Sequence, residues 1–322
     1  MAETEFELFN NQLLQQLVGP NDDNLHLVEE ILNVEITTFG NRIHIKGKEQ
    51  NCQKARQAIN DLYIKASRGI LIDEQEIKAA IRMNNKDKKD APAEKNINLS
   101  EIVLKTKKRH IYPRSQMQAK YILEMMNNEL VFGLGPAGTG KTYLAVALAV
   151  SMMLEGKIDK IILSRPAVEA GENLGFLPGD LKEKVDPYLR PLYDALYEML
   201  PSEQVDKKLA AGEIEIAPLA FMRGRTLSNA FVILDEAQNT TPMQMKMFLT
   251  RLGENSRMVV NGDLSQVDLP RGSTSGLKDA LYTLKNIKGI TSVTFSAEDV
   301  VRHGLVSKIV LAYEKKQKEE ND

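Results

Sequence analysis

The chain has 322 residues, 43% hydrophobic and 27% charged, which is enough for about two domains with full cores. Its 42 basic residues are balanced by 44 acidic ones, which excludes a uniformly basic nucleic-acid coat and leaves room only for a local patch. A single cysteine, Cys52, excludes an intramolecular disulfide, and four scattered histidines (His26, His44, His110, His303) argue against a structural zinc site.

The opening MAETEFELFN is acidic and lacks the basic and apolar regions of a signal peptide. Residues 6–18 read as a short strand and then a helix that Gly19-Pro20 ends. Asn21 to Asp23 is a turn, and Leu25 to Leu32 has helical spacing. Asn33 to Thr38 and Arg42 to Lys46 alternate in polarity around Phe39-Gly40-Asn41, the pattern of a hairpin. Lys48 to Lys65 follows as a helix, with Cys52, Ala55, Ile59 and Leu62 recurring every three or four residues; Ile70 to Met83 reads as another. Residues 1–83 therefore form a small α+β domain. Residues 84–96 are polar and contain Pro92, so 84–109 is a linker with a basic approach segment.

From 110 to 312 strands and helices alternate, which predicts an α/β domain with a parallel sheet. Its strands are Leu130–Leu134, Lys160–Leu163, Ala230–Leu234, Arg257–Val260 and Ile290–Phe295. Its helices are Lys141–Leu154, Tyr188–Leu200, Ser202–Ala210, Pro242–Arg251 with Thr241 as cap, and Gly276–Leu284. Gly171 to Asp180 is loop-like, and 313–322 is a charged tail. No stretch approaches the roughly 18 apolar residues of a membrane span, and a cytoplasmic location is expected.

Gly135-Pro136-Ala137-Gly138-Thr139-Gly140-Lys141-Thr142 matches the phosphate loop G-x-x-x-x-G-K-[ST]. Glycines permit backbone turns that side chains block, so that successive N–H groups and the following helix end surround phosphate oxygens. Lys141 is suited to the β and γ phosphates, and the Thr142 hydroxyl to magnesium. Phe231 to Leu234 is an apolar strand ending on Asp235 and Glu236. Asp235 is expected to hold magnesium, and Glu236 to orient or deprotonate the attacking water. Another apolar strand leads to Asn261-Gly262-Asp263-Leu264-Ser265-Gln266, where Asn261, Asp263 or Gln266 could face the γ phosphate.

With these motifs the chain resembles the PhoH-like ATPase family, in particular its longer two-domain bacterial (YbeZ-like) members. The resemblance runs through GPAGTGKT, SRPAVEAGENLGFLPGD at 164–180, RGRTLSNAFVILDEAQNT at 223–240, NGDLSQVDLP at 261–270 and VRHGLVSKIV at 301–310. It implies a P-loop core similar to superfamily-1 helicases, using ATP and Mg2+. By the same resemblance Gln118 is similar to an adenine-contacting glutamine, Gln266 to a γ-phosphate sensor and Arg302 to an arginine finger. Gly304 departs from the proline usual after the arginine–histidine pair, which loosens the placement of Arg302. The resemblance also implies RNA as a partner, and ribosomal RNA maturation beside a YbeY-like endoribonuclease.

The basic run Lys105, Lys107, Lys108, Arg109 and Arg114 can neutralise phosphates or serve as a solvated approach to the core. Arg223 and Arg225 could hold phosphate or pair with local acids. The first domain resembles a KH-like fold, but Gly40 stands alone and Gly47-Lys48-Glu49-Gln50 lacks the second glycine of an RNA-clamping GXXG loop. Three classes remain open: an ATPase acting on RNA, an ATP-gated protein adaptor without RNA translocation, and a metabolic P-loop kinase. A lone core without a second motor domain favours a homo-oligomer, a ring in which Arg302 reaches a neighbour's nucleotide.

Overall fold

The computed structural model describes residues 2–8, 11–67, 70–83, 102–166, 181–270 and 272–301. The chain divides into two compact units. One runs to Val103 and takes in Tyr112–Ala119; the other comprises Leu104–Ile111 and the chain from Lys120.

In the first unit, strand β1 (Ala2–Glu7) precedes helices α1 (Asn11–Val18) and α2 (Asp23–Leu32). Strands β2 (Glu35–Phe39) and β3 (Arg42–Gly47) form the expected hairpin, followed by α3 (Glu49–Ser67) and α4 (Glu74–Met83). The sheet is antiparallel in the order β1-β3-β2. β1 starts earlier than expected because Glu3 and Glu5 lie on its outer face, near Lys46 and Arg42 of β3. Asn33 does not begin a strand; it takes the left-handed conformation (φ 51°) that closes α2. The second helix of this region starts at Glu74 rather than Ile70, where the Asp73 carboxylate accepts from the Glu76 N–H at 2.8 Å.

A buried ion cluster ties this unit together. The Lys65 ammonium is 2.7 Å from one Glu76 oxygen, and the Arg114 Nε is 3.0 Å from the other. Arg114 also donates to Gln75 at 2.6 Å. Truncating Glu76 leaves a buried ammonium without its counter-ion, a loss of about 3–5 kcal/mol. Glu76→Ala is therefore expected to lower the urea midpoint of the first unit's unfolding transition. An unchanged midpoint would show that water replaces the carboxylate at no cost.

The second unit is built on six parallel strands in the order β11-β6-β10-β9-β7-β8. In chain order these are β6 (Leu130–Leu134), β7 (Lys160–Arg165), β8 (Ile214–Pro218), β9 (Ala230–Leu234), β10 (Arg257–Gly262) and β11 (Ile290–Thr294). β6 and β9 are buried at every position, as inner strands of a sheet covered on both faces must be. β8 is an edge strand that the periodicity reading lacks: it is short, half-exposed and ends on Pro218. Helix α6 (Lys141–Leu154) is buried through Leu144–Met152, which explains its apolar residues on all sides. α7 (Leu181–Met199) is longer than the expected 188–200, and α8 (Ser202–Ala210) follows it. α9 (Pro242–Leu249) has the expected Thr241 cap, completed as a box by Gln244, and α10 (Gly276–Thr283) precedes β11.

Two short elements occupy the region read as approach segment. β4 (Leu104–Lys105) pairs with β5 (His110–Ile111), so this stretch is a hairpin of the second unit. α5 (Gln116–Asn127), absent from the periodicity reading, follows it. Its Tyr121 is fully buried, packs edge-on against Phe295 and donates to Asn261 Oδ1 at 2.6 Å. Gly133 of β6 leaves room for that ring; a Cβ there would fall 2.9 Å from the Tyr121 oxygen.

Candidate functional site

The phosphate loop leaves the end of β6, the acidic pair the end of β9 and the 261–266 segment the end of β10. These strands are neighbours in the order β6-β10-β9 and run parallel, so all three segments emerge at one carboxyl edge. The cleft there has a volume of about 230 Å³, and Gly138, Lys141, Thr142, Asp235, Asp263 and Gln266 are among its walls.

Gly135, Gly138 and Gly140 have φ of 130°, 83° and 82°, values that favour glycine. At Gly135 a Cβ would also lie 2.5 Å from the Phe295 carbonyl oxygen. The loop is stapled internally. Thr139 is buried and donates to the Pro136 carbonyl at 3.0 Å, so it shapes the loop from within. The Lys141 ammonium donates to the Gly135 and Pro136 carbonyls at 2.7 and 2.9 Å. Ala137 and Gly138 line the cleft, and the Gly138 carbonyl accepts from the Val301 N–H at 2.9 Å.

Thr142, first turn of α6, donates its hydroxyl to Asp235 Oδ1 at 2.6 Å. Magnesium usually takes one or two protein oxygens and fills its octahedron with water and phosphate. Thr142 and Asp235 fit that pattern; the described residues contain no cluster of three or more His, Cys, Asp or Glu. A further oxygen is at hand: Asp263 Oδ2 is buried with no hydrogen-bond partner, while Oδ1 accepts from the Ser265 N–H and hydroxyl.

Burial pushes the Asp235 carboxyl above the usual carboxylate range, against the opposing pull of the Thr142 hydrogen bond and the Arg165 charge. The raised value fixes the sign of its linkage. Above the folded pKa the full cost of the buried charge is borne, and acidification toward the unfolded value of about 3.9 relieves it. Without magnesium or nucleotide, Asp235→Asn is expected to unfold a few degrees above wild type at pH 7. The gap should narrow as pH falls. The same variant should lose magnesium-dependent nucleotide binding. A lower midpoint at pH 7 would mean that the Thr142 and Arg165 contacts outweigh desolvation.

Glu236 follows in the left-handed region (φ 52°, ψ 37°), uncommon for a side-chain-bearing residue and typical of positions that the surroundings must hold. Two donors hold it. Arg165, the last residue of β7, is 2.7 Å from Oε1 through Nη2, and its Nη1 donates to the Tyr188 carbonyl at 2.8 Å. Gln238 Nε2 donates to Oε2 at 2.6 Å. The sequence reading assigns no role to Arg165, Gln238 or Tyr143, which also lines the cleft.

Of the three residues open at the end of β10, Asp263 and Gln266 line the cleft, whereas Asn261 is fully buried against Tyr121. Gln118 is buried in the first unit, where its side-chain oxygen accepts from the Arg114 N–H at 2.6 Å. Arg302 and His303 lie outside the described residues, as do Gly304 and 167–180 of the quoted motifs.

A family model described as "PhoH-like protein" matches residues 110–314. The chain belongs to the PhoH-like family. A PhoH-like protein of Bacillus subtilis is 51% identical over 318 residues, covering 97% of this chain and 99% of that one. Protein PhoH of Escherichia coli is 48% identical over 205 residues, 63% of this chain and 58% of that protein. Among solved structures, the UvsW helicase of bacteriophage T4 is 12% identical with a TM-score of 0.35, covering 62% of this chain and 64% of that one, a likeness too loose to carry an argument. PhoH-like membership associates the chain with ATP binding and nucleoside-triphosphatase chemistry at family level. No helix among the described residues is long and apolar enough to cross a membrane.

Proposed function

We propose that the protein is a magnesium-dependent ATPase whose turnover serves RNA metabolism. One observation carries the hydrolytic part: Glu236 stands beside the Thr142–Asp235 pair at a phosphate loop, with each of its oxygens held by a separate donor. A carboxylate so placed can orient and deprotonate water facing a γ phosphate held by the loop N–H groups and Lys141. Magnesium on Thr142 and Asp235 supplies charge neutralisation there. Gln266 senses the γ phosphate, and Gln118 gives the preference for adenine, as the resemblance implies. Arg302 is the candidate finger. The resemblance supplies that role, and in a ring Arg302 serves a neighbouring subunit. The core is superfamily-1-like in this reading, and a YbeY-like endoribonuclease is the partner in ribosomal RNA processing.

A second reading, the ATP-gated adaptor, is favoured by the pairing of the basic residues. Lys108 donates to the Tyr197 carbonyl at 2.7 Å, Arg109 pairs with Glu198 at 3.2 Å, Arg114 is committed to Glu76, and Arg225 pairs with Glu215. Arg109, Arg114 and Arg225, already matched to acids, release fewer counterions on meeting RNA.

Phosphate release from ATP by the purified chain, with and without magnesium, tests the ATPase; none in either condition sinks it. ADP formed only with a small-molecule acceptor, with the phosphoryl group on that acceptor and no free phosphate, favours a kinase. A fluorescence titration with single-stranded RNA at low salt, repeated with Lys107, Lys108 and Arg109 neutralised, separates the other two readings. Weaker binding across sequences, together with RNA-stimulated turnover, is expected of an RNA motor; no binding by the intact protein leaves the adaptor.

A further inference from the structure

The short turn Ala237–Asn239 between Glu236 and α9 spends its polar side chains in an unusual way. Gln238 is only 1% exposed and Asn239 8%, yet neither faces the cleft wall. The Gln238 amide is used at both ends: Nε2 donates to Glu236 Oε2 at 2.6 Å, and Oε1 accepts from the Asp263 N–H at 3.0 Å. Asn239 Oδ1 accepts from the Asp268 N–H at 2.8 Å. Two adjacent side chains thus grip the first and last N–H groups of the 263–268 loop, and that loop carries Gln266. Inside it, the Gln266 N–H donates to the Asp263 carbonyl at 3.0 Å.

The rest of the turn is equally committed. The Gln238 carbonyl accepts from the Ser275 hydroxyl at 2.8 Å, and the Thr240 carbonyl from the Gly276 N–H at 2.7 Å. Gly262 permits the close approach, since a Cβ there would fall 2.9 Å from Gln238 Oε1. A buried amide with both ends satisfied is rigid, because any rotation leaves a buried polar group unpaired.

We propose that Gln238 and Asn239 are positioning residues that register the loop bearing Gln266 against Glu236, so that the water-activating carboxylate and the γ-phosphate-facing glutamine act as one unit. Neither residue touches nucleotide in this proposal. It rests on the ATPase reading, and a displacement of about 1 Å at such a site costs up to about 100-fold in rate.

The test uses the full chain. Wild-type turnover and its loss in Lys141→Ala decide the ATPase reading independently. Hydrogen exchange of segment 263–268 in nucleotide-free protein then reads the clamp without any activity. The expected result is faster exchange in Asn239→Leu and Gln238→Met, and near wild-type protection in Asn239→Asp, which keeps the acceptor for Asp268. In turnover, Asn239→Leu should lower kcat by about tenfold with ATP affinity within about twofold, and Asn239→Asp should restore most of it. The deciding measurement is coupling: Gln266→Ala should cost clearly less in the Asn239→Leu background than in wild type. Equal cost in both backgrounds, or wild-type exchange of 263–268 in Asn239→Leu, overturns the proposal. Should Gln238→Met fail to fold, the Asn239 series with Gln266→Ala decides alone, because Asn239 meets Glu236 only through its backbone N–H, at 3.1 Å from the Glu236 carbonyl, which these side-chain changes keep.

Discussion

Replacing Lys141 with alanine is expected to reduce steady-state phosphate release from ATP by at least about 100-fold and to weaken nucleotide binding. The ammonium now rests on the Gly135 and Pro136 carbonyls, at the mouth of a loop whose backbone N–H groups are the other phosphate donors. Those carbonyl contacts are modest, and a triphosphate offers the ammonium far stronger charge-assisted bonds. Loss of a single preorganised donor facing developing charge costs about 10²–10³ in rate elsewhere in enzymology. Here the variant also removes three contacts that staple the loop, the third to the Thr139 hydroxyl at 3.3 Å. Thermal unfolding should change little, because α6 is held by its buried apolar body from Leu144 onward. Phosphate release and nucleotide titration at matched stability check this. A Lys141→Ala protein that turns over at the wild-type rate would remove the loop from the chemistry.

Much of this site is legible in the sequence because its signals are local. The phosphate loop is a contiguous run whose glycines must adopt positive φ, and β9 announces itself as five apolar residues ending on two carboxylates. What is not legible is lateral. β10 lies between β6 and β9, and only that order brings Gln266 beside Thr142. Arg165 lies 71 residues before the Glu236 it holds, and although it falls in the family-like stretch at 164–180, nothing there pairs it with that carboxylate. Asn261 shows the reverse: its residue type and position suit a γ phosphate, but Tyr121 of a helix missing from the periodicity reading claims it. β8, and the start of β1 ahead of residue 6, escape for a related reason. The first four residues of β1 alternate between weakly apolar and charged, and β8 is a five-residue edge strand that ends on Pro218, so both draw their stability from neighbouring strands. The partners of the basic run are not legible either, because Glu198, Glu76 and the Tyr197 carbonyl are supplied by distant segments.

Glu236→Gln is expected to leave ATP bound and nearly unhydrolysed. General-base assistance contributes about 10²–10⁴ in rate, and the amide cannot take a proton from water. Shape is conserved, so the left-handed backbone at 236 and the phosphate loop should persist. The contacts do not all survive. An amide presents one oxygen and one NH2, whereas the carboxylate accepts from Arg165 on one side and Gln238 on the other. If the amide oxygen stays on Arg165, its NH2 faces the Gln238 NH2. Gln238 must then rotate, which disturbs its hold on the Asp263 N–H. The variant therefore combines loss of the base with a loosened 263–268 loop. Arg165→Met tests the base apart from the loop: it frees one Glu236 oxygen and removes the charge facing Asp235, but keeps the base and leaves Gln238 in place, so its kcat should fall by less than that of Glu236→Gln. Single-turnover hydrolysis of pre-bound ATP, with nucleotide content measured after gel filtration, distinguishes these cases. Retained ATP with a chemical step slowed by about 100-fold or more identifies Glu236 as the group that activates water. Wild-type single-turnover rates in Glu236→Gln would sink that role and leave Asp263, with its unpartnered buried oxygen, as the remaining carboxylate in the cleft wall beside Asp235.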